Sequence, residues 1–182
     1  MIMVKYGGLL VDRYKKGKEM YLKYDCDYYF MALDGTLDIY KELRISPAIE
    51  LIWKKSYLKD LMKKYELAIG DDRIQLLEKI AFHNEERTLI KIIEKELKRA
   101  EPNSYYMVRL CEVALHGISS NSYNVKRIFE RFLSEINKID VSNIVIDDSF
   151  YTPSYMISEF TEEKIKKRVK NVIEDLRDVL KI

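Results

Sequence analysis

Tyr105, Arg109, Glu112 and His116 follow one another at steps of four, three and four residues, the repeat of an α-helix. A helix over this stretch carries a phenol, a guanidinium, a carboxylate and an imidazole down one face, with Met107, Leu110, Cys111 and Ala114 on the other. An imidazole exchanges a proton near neutrality, and a guanidinium stabilises charge building on an oxygen. Arg109, Glu112 and His116 are therefore the catalytic candidates of the chain. The competing reading is a solvated face on which Glu112 pairs with either neighbour.

Six residues separate Arg109 from His116. The pair resembles the R-x4-6-H element of HEPN-type RNases, helical enzymes that work without a metal. The resemblance covers the eight residues from Arg109 to His116. It implies His116 as general acid/base, Arg109 as the group that stabilises developing phosphate charge, and a pair duplicated by dimerisation. That family usually has a polar residue directly after the arginine, where this chain has Leu110. A second stretch, Phe30 to Leu37, is similar to the first motif of haloacid-dehalogenase-like phosphatases, but Ala32 stands where that motif needs its nucleophilic aspartate. Phosphatase chemistry is excluded, and only a turn at Asp34-Gly35 is kept.

Metal chemistry finds too few ligands. His83, Glu86 and Arg87 share a helical face, but one histidine and one carboxylate do not hold a metal ion. Asp25, Asp27, Asp147 and Asp148 would gather round a cation only if residues 144–146 joined a sheet with the N-terminal segment. No metal and no cofactor is expected.

Two surfaces suggest partners. Arg13, Lys15, Lys16, Lys18 and Lys23 are mixed with Tyr14, Tyr21 and Tyr24, and nine of the 14 tyrosines precede Glu66. Lysines contact phosphates and aromatic rings stack on bases, so Arg13, Tyr14, Lys15, Lys16, Lys18, Tyr21 and Lys23 are the candidates for binding RNA or single-stranded DNA. The acids Asp12, Glu19, Asp25 and Asp27 are interleaved, as on an ordinary wet sheet face. Near the C-terminus, Ile165, Val169, Val172, Leu176 and Val179 are spaced as a heptad seam. The bases at the start of that helix and the acids Glu174, Asp175 and Asp178 near its end both oppose the helix dipole. An antiparallel second copy would set basic half against acidic half, so the seam is the candidate dimer contact. The alternative is a seam packed on its own domain, with Lys170 and Glu174 paired along the helix.

The elements that position these residues are read from period and punctuation. Leu9 to Tyr14 and Lys18 to Tyr24 flank Lys15-Lys16-Gly17, and Met20, Leu22 and Tyr24 alternate with Glu19, Tyr21 and Lys23, which reads as a hairpin. Tyr28 to Leu33 and Leu37 to Glu42 read as a second hairpin across Asp34-Gly35. From Ser46-Pro47 the period becomes helical. One helix is expected to Ile69, a second from Asp71 with a break or bend at 82–84, and a third opened by Pro102. A fourth is expected after the loop 119–122, and a last one capped by Thr161. Ile144 to Ile146 reads as a short strand, and Asp147 to Ser158 as a surface loop. The expected fold is α+β, mostly α: a small antiparallel N-terminal sheet against five or six helices, in a single domain over 1–182.

The chain has 182 residues, 47% of them hydrophobic and 34% charged, above the roughly 25% charged that is usual. Gln occurs once, at Gln75, while Lys, Glu and Ile recur through the helical stretches, a bias that suits a hot-adapted protein. The net charge of +2 is carried by no tail, so there is no global footprint for nucleic acid. Cys26 and Cys111 belong to no metal or disulfide pattern, and no apolar run approaches the ~18 residues needed to span a bilayer. The expectation is a non-enzymatic cytoplasmic interaction or assembly protein that self-associates and contacts nucleic acid through the basic hairpin. The alternative is a metal-independent, HEPN-like RNase using Arg109 and His116.

Overall fold

Residues 13, 14, 17, 20 and 21 recur at helical spacing, and in the computed structural model they lie along the less exposed side of one long helix instead of alternating across a hairpin. The structure describes residues 3–83, 86–119, 123–150 and 160–182, with only the backbone described at 3–10 and 123. Among these residues there are nine α-helices and no strand, so the fold is all-α and the expected N-terminal sheet is absent. Contacts divide the chain into two compact units, Met1–Leu61 and Met62–Ile182.

The first unit holds α1 (Met3–Lys23), α2 (Tyr28–Leu33), α3 (Leu37–Glu42) and the larger part of α4 (Pro47–Leu67). Two features explain why residues 9–23 are helical. Asp12, Lys15, Lys16, Glu19 and Lys23 stand at the four-residue steps at which opposite charges support a helix. Gly17, which reads as a hairpin turn, is buried in mid-helix at a close approach, where an added Cβ would lie 3.0 Å from the side chain of Ile45. The second hairpin is replaced by α2 and α3. All six residues from Tyr28 to Leu33 are apolar, so the run carries no period of its own, and the cap decides it. The Asp27 carboxylate accepts the Tyr29 N–H at 2.7 Å and starts a helix. The turn at Asp34-Gly35 is present, with Gly35 at φ +68°, but it joins two helices. Tyr21, Cys26, Met31 and Tyr40 form the core of this unit, with Trp53 and Tyr57 packed against them.

The second unit holds the end of α4, then α5 (Gly70–Phe82), α6 (Glu86–Glu96), α7 (Tyr105–Gly117), α8 (Tyr123–Ile136) and α9 (Glu162–Leu180), with 3-10 turns at Val141–Asn143 and Asp148–Phe150. α7 is its centre. Tyr105, Met107, Val108, Leu110, Cys111, Val113 and Ala114 are all buried, and the helix packs on α5, α6, α8 and α9. Ser104 caps α7 through the Met107 N–H at 3.3 Å, and Thr161 caps α9 through the Lys164 N–H at 3.4 Å. Residues 144–146 do not join a sheet. Val145 makes one isolated bridge to Ser104, receiving the Tyr105 N–H at 2.8 Å and donating to the Asn103 carbonyl at 2.9 Å. Residues 120–122 and 151–159, which fall in the expected loops, lie outside the described residues. No described helix is long and apolar enough to cross a membrane.

Candidate functional site

The polar stripe of α7 lines a cavity of about 430 Å3. α7 contributes Arg109, Glu112, Val113 and His116, α5 contributes Glu78, Ala81 and Phe82, and α9 contributes Arg168. The apolar stripe of α7 is sunk in the core, which fixes the rotation of the helix and leaves its opposite face to the cavity. All three catalytic candidates thus meet at one place, joined by Arg168, Glu78 and Phe82.

Glu112 is the anchor. Its side chain is 16% exposed and lies between two guanidiniums. Arg168 donates to both of its oxygens, through Nε to Oε1 and through Nη2 to Oε2 at 2.8 Å, and Arg109 Nη1 donates to Oε2 at 2.6 Å. Such forked pairing fixes the plane of Arg168. Arg109 Nη2 donates to Glu78 Oε1 at 2.6 Å. Arg168 Nη1 donates to the Tyr105 hydroxyl at 2.8 Å. Burial lowers the readiness of Arg168 to stay charged, but the bond and charge of Glu112 outweigh it and hold its pKa above the ordinary value.

Tyr105 stands apart from its stripe. It is 4% exposed, wedged edge-on between Phe150 and Phe160 with ring centroids 5.2 and 5.3 Å away. Its part is to position Arg168, and burial raises the pKa of its hydroxyl. His116 is exposed, with Nδ1 2.7 Å from the backbone oxygen of Glu112. A carbonyl oxygen only accepts, so Nδ1 carries the hydrogen, and the neutral ring keeps its lone pair on Nε2. The arrangement offers two oriented cations, one base and an apolar wall. Its two cations are balanced by two carboxylates, and Glu112 is held by three donated N–H bonds from two guanidiniums, which ties it up as a base. Among the described residues no group of three or more His, Cys, Asp or Glu side chains could hold a metal ion.

The nucleic-acid candidates are not brought onto one face. Tyr21 is 7% exposed and stacks on Tyr40 at 5.8 Å in the core. Arg13 lies over the ring of Tyr14 at 5.0 Å, and Lys23 lies 3.9 Å from Asp34. Lys15, Lys16 and Lys18 are exposed. In the C-terminal seam, Ile165, Val169, Val172 and Leu176 are buried within the second unit, where α7 and α8 pack on α9, while Val179 is 44% exposed. Lys170 and Glu174 pair along that helix at 3.6 Å.

A second polar centre has no counterpart in the sequence reading. Glu96 is 3% exposed and accepts hydrogen bonds from Tyr65 at 2.6 Å, Tyr106 at 2.7 Å and Arg73 at 2.9 Å, beside a cavity of about 300 Å3. Burial opposes ionisation of Glu96, but the two phenols and Arg73 together hold its carboxyl below the usual range. The sequence does carry its signal: Glu96 falls on the apolar stripe Leu89, Ile92, Ile93, Leu97, where a lone carboxylate needs partners. Arg168 carries the same mark, between Ile165 and Val169. Compared with known proteins, the chain matches no family model, no curated protein and no solved structure.

Proposed function

We propose that this chain is a non-enzymatic interaction protein that self-associates through α2. The observation that carries the reading is the apolar exposure of that helix. Tyr29 is 63% and Leu33 68% exposed, Tyr28 and Phe30 are exposed beside them, and Met31 alone among the six residues is buried. An apolar strip of this kind marks a contact surface. From Tyr28 to Leu33 there is no charged side chain, so a two-fold contact between copies brings no like charges together within the strip. Burying Leu33 and Tyr29 against a second copy is worth about 1.5–3 kcal/mol per side chain. Cys26 and Cys111, both free and buried, are compatible with the reducing conditions of a cytoplasm.

Sedimentation equilibrium of the wild type and of Leu33→Glu tests it. A dimer that becomes a monomer in the variant is the expected result, and a wild type that stays monomeric at its highest soluble concentration overturns it. Contact with RNA or single-stranded DNA rests on Lys15, Lys16 and Lys18, exposed on α1. Reversing their charge should weaken binding and flatten its salt dependence, and unchanged binding would remove that clause.

A second reading, metal-independent RNA cleavage, is favoured by one observation: Arg109 and His116 line the same cavity as Arg168. His116 would act as general acid/base and the guanidiniums would stabilise charge on the phosphate. Cleavage that survives a chelator and is lost in His116→Ala supports it. Chelator-sensitive or His116-independent cleavage sinks it.

A further inference from the structure

We infer that the cavity between α5, α7 and α9 is an anion site in which Glu78 holds the place of the ligand, and that the ligand is a small phosphorylated molecule with a flat apolar body. The inference concerns binding alone and does not rest on self-association or on catalysis. The two carboxylates on Arg109 are unequally held.

Glu112 is 16% exposed and fixed by donors from two arginines, so it belongs to the frame of the site. Glu78 is 44% exposed, comes from a different helix and accepts one Arg109 N–H at 2.6 Å. An ion pair with so exposed a partner is weak. The Glu78 carboxylate can leave at little cost. When it does, Arg109 and Arg168 face Glu112 alone, and the three carry a net positive charge. Each guanidinium has five N–H donors, and the bonds described engage two on Arg109 and three on Arg168, so donors remain for an incoming oxyanion.

The ligand class follows from the rest of the wall. A phosphate monoester carries more charge at neutral pH than the carboxylate it displaces, and it offers three acceptor oxygens to guanidinium forks. Ala81, Val113 and the exposed ring of Phe82 line the same cavity, and an aromatic face beside arginines suits a flat ring. A volume of about 430 Å3 falls within the range of small-molecule sites. One phosphate and one ring system fill such a space.

The test is titration calorimetry of the full chain with adenosine 5′-monophosphate, alongside inorganic phosphate and adenosine. The wild type should bind the nucleotide weakly, and Glu78→Gln should bind it about threefold or more tightly, since a competing ion pair is gone. A gain in affinity cannot come from misfolding, which keeps the test independent of damage. Arg109→Gln should abolish binding, and Phe82→Ala, a change at an exposed ring, should reduce nucleotide affinity to that of inorganic phosphate. No binding by either the wild type or Glu78→Gln overturns the inference, as does binding that Glu78→Gln leaves unchanged. Equal affinity for phosphate and nucleotide in the wild type overturns the ligand class. Because calorimetry reads no cleavage, failure here and failure of the RNase reading are separate results.

Discussion

At the residue scale the molecule is organised round carboxylates set where apolar side chains would ordinarily go. Glu96 shows the cost and the compensation. A buried carboxylate left unpaired is expensive, and this one is satisfied by Tyr65, Tyr106 and Arg73 together. Replacing it with glutamine removes the charge opposite Arg73, so Glu96→Gln should lower stability by about 3 kcal/mol in urea denaturation at neutral pH. The pH dependence has a definite sign. The carboxyl titrates below its ordinary 4.5 in the folded chain, so its contribution is present above that value and is lost as pH falls through the folded one. The wild type should lose stability between about pH 5 and pH 3 more steeply than Glu96→Gln does. Parallel acid limbs in the two proteins would remove Glu96 from the account.

At the scale of elements, the crossing of α5, α6 and α7 depends on Gly117. A Cβ added there would run into the side chain of Leu89 and lie 2.8 Å from the Cβ of Ala81. Alanine gains about 1 kcal/mol over glycine in a helix, but overpacking costs about 1–3 kcal/mol, and Leu89, fully buried, has nowhere to go. Gly117→Ala should therefore lower the melting temperature despite its better helix propensity. The same elements show what could be read in the chain. α8 and α9 were legible because their apolar residues keep a helical period for several turns. α1 was not, because its less exposed face is made of Arg13 and Tyr14, half-buried, and Gly17 and Tyr21, buried, residues that in a hydropathy pattern read as polar, strand-prone or turn-forming. Only tertiary packing identifies Gly17 and Tyr21 as buried positions. Of the site, the α7 stripe was legible from spacing. Glu78 and Arg168 were not, since their meeting with Arg109 and Glu112 joins positions 31 and 56 residues apart.

Across the whole chain one device recurs, a phenol donating to a carboxylate. In the first unit Tyr28 and Tyr40 donate to Glu50 at 2.5 and 2.8 Å, Tyr57 donates to Asp25, and Tyr24 donates to Asp34. In the second unit Tyr65 and Tyr106 share Glu96. Of the tyrosines that suggest a nucleic-acid surface in the sequence, Tyr24 takes part in this pairing, whereas Tyr21 stacks in the core and Tyr14 accepts from Arg13. Burial first, and then the neighbouring carboxylates, push the hydroxyls of Tyr28, Tyr40, Tyr57, Tyr65 and Tyr106 up in pKa, and burial carries Tyr21 to about 12. A raised phenol pKa stabilises the fold below the ordinary value near 10, and that contribution is lost as pH climbs towards the folded value. In an alkaline titration followed by tyrosinate absorbance, a fraction of the 14 tyrosines should ionise near pH 10 and the remainder only as the helices melt. A single transition near pH 10, with helicity intact, would contradict the arrangement. The second unit also has an order in time. The Asp71 N–H at the start of α5 is capped by the hydroxyl of Ser149, 78 residues later, and Glu112 meets Arg168 after 56. On a ribosome adding about 5–20 residues per second, α5 waits about 4 to 16 seconds for its cap. A nascent chain halted in that interval leaves the α7 carboxylate without its fork and the core without α9, which makes α9 the last part on which the native unit depends.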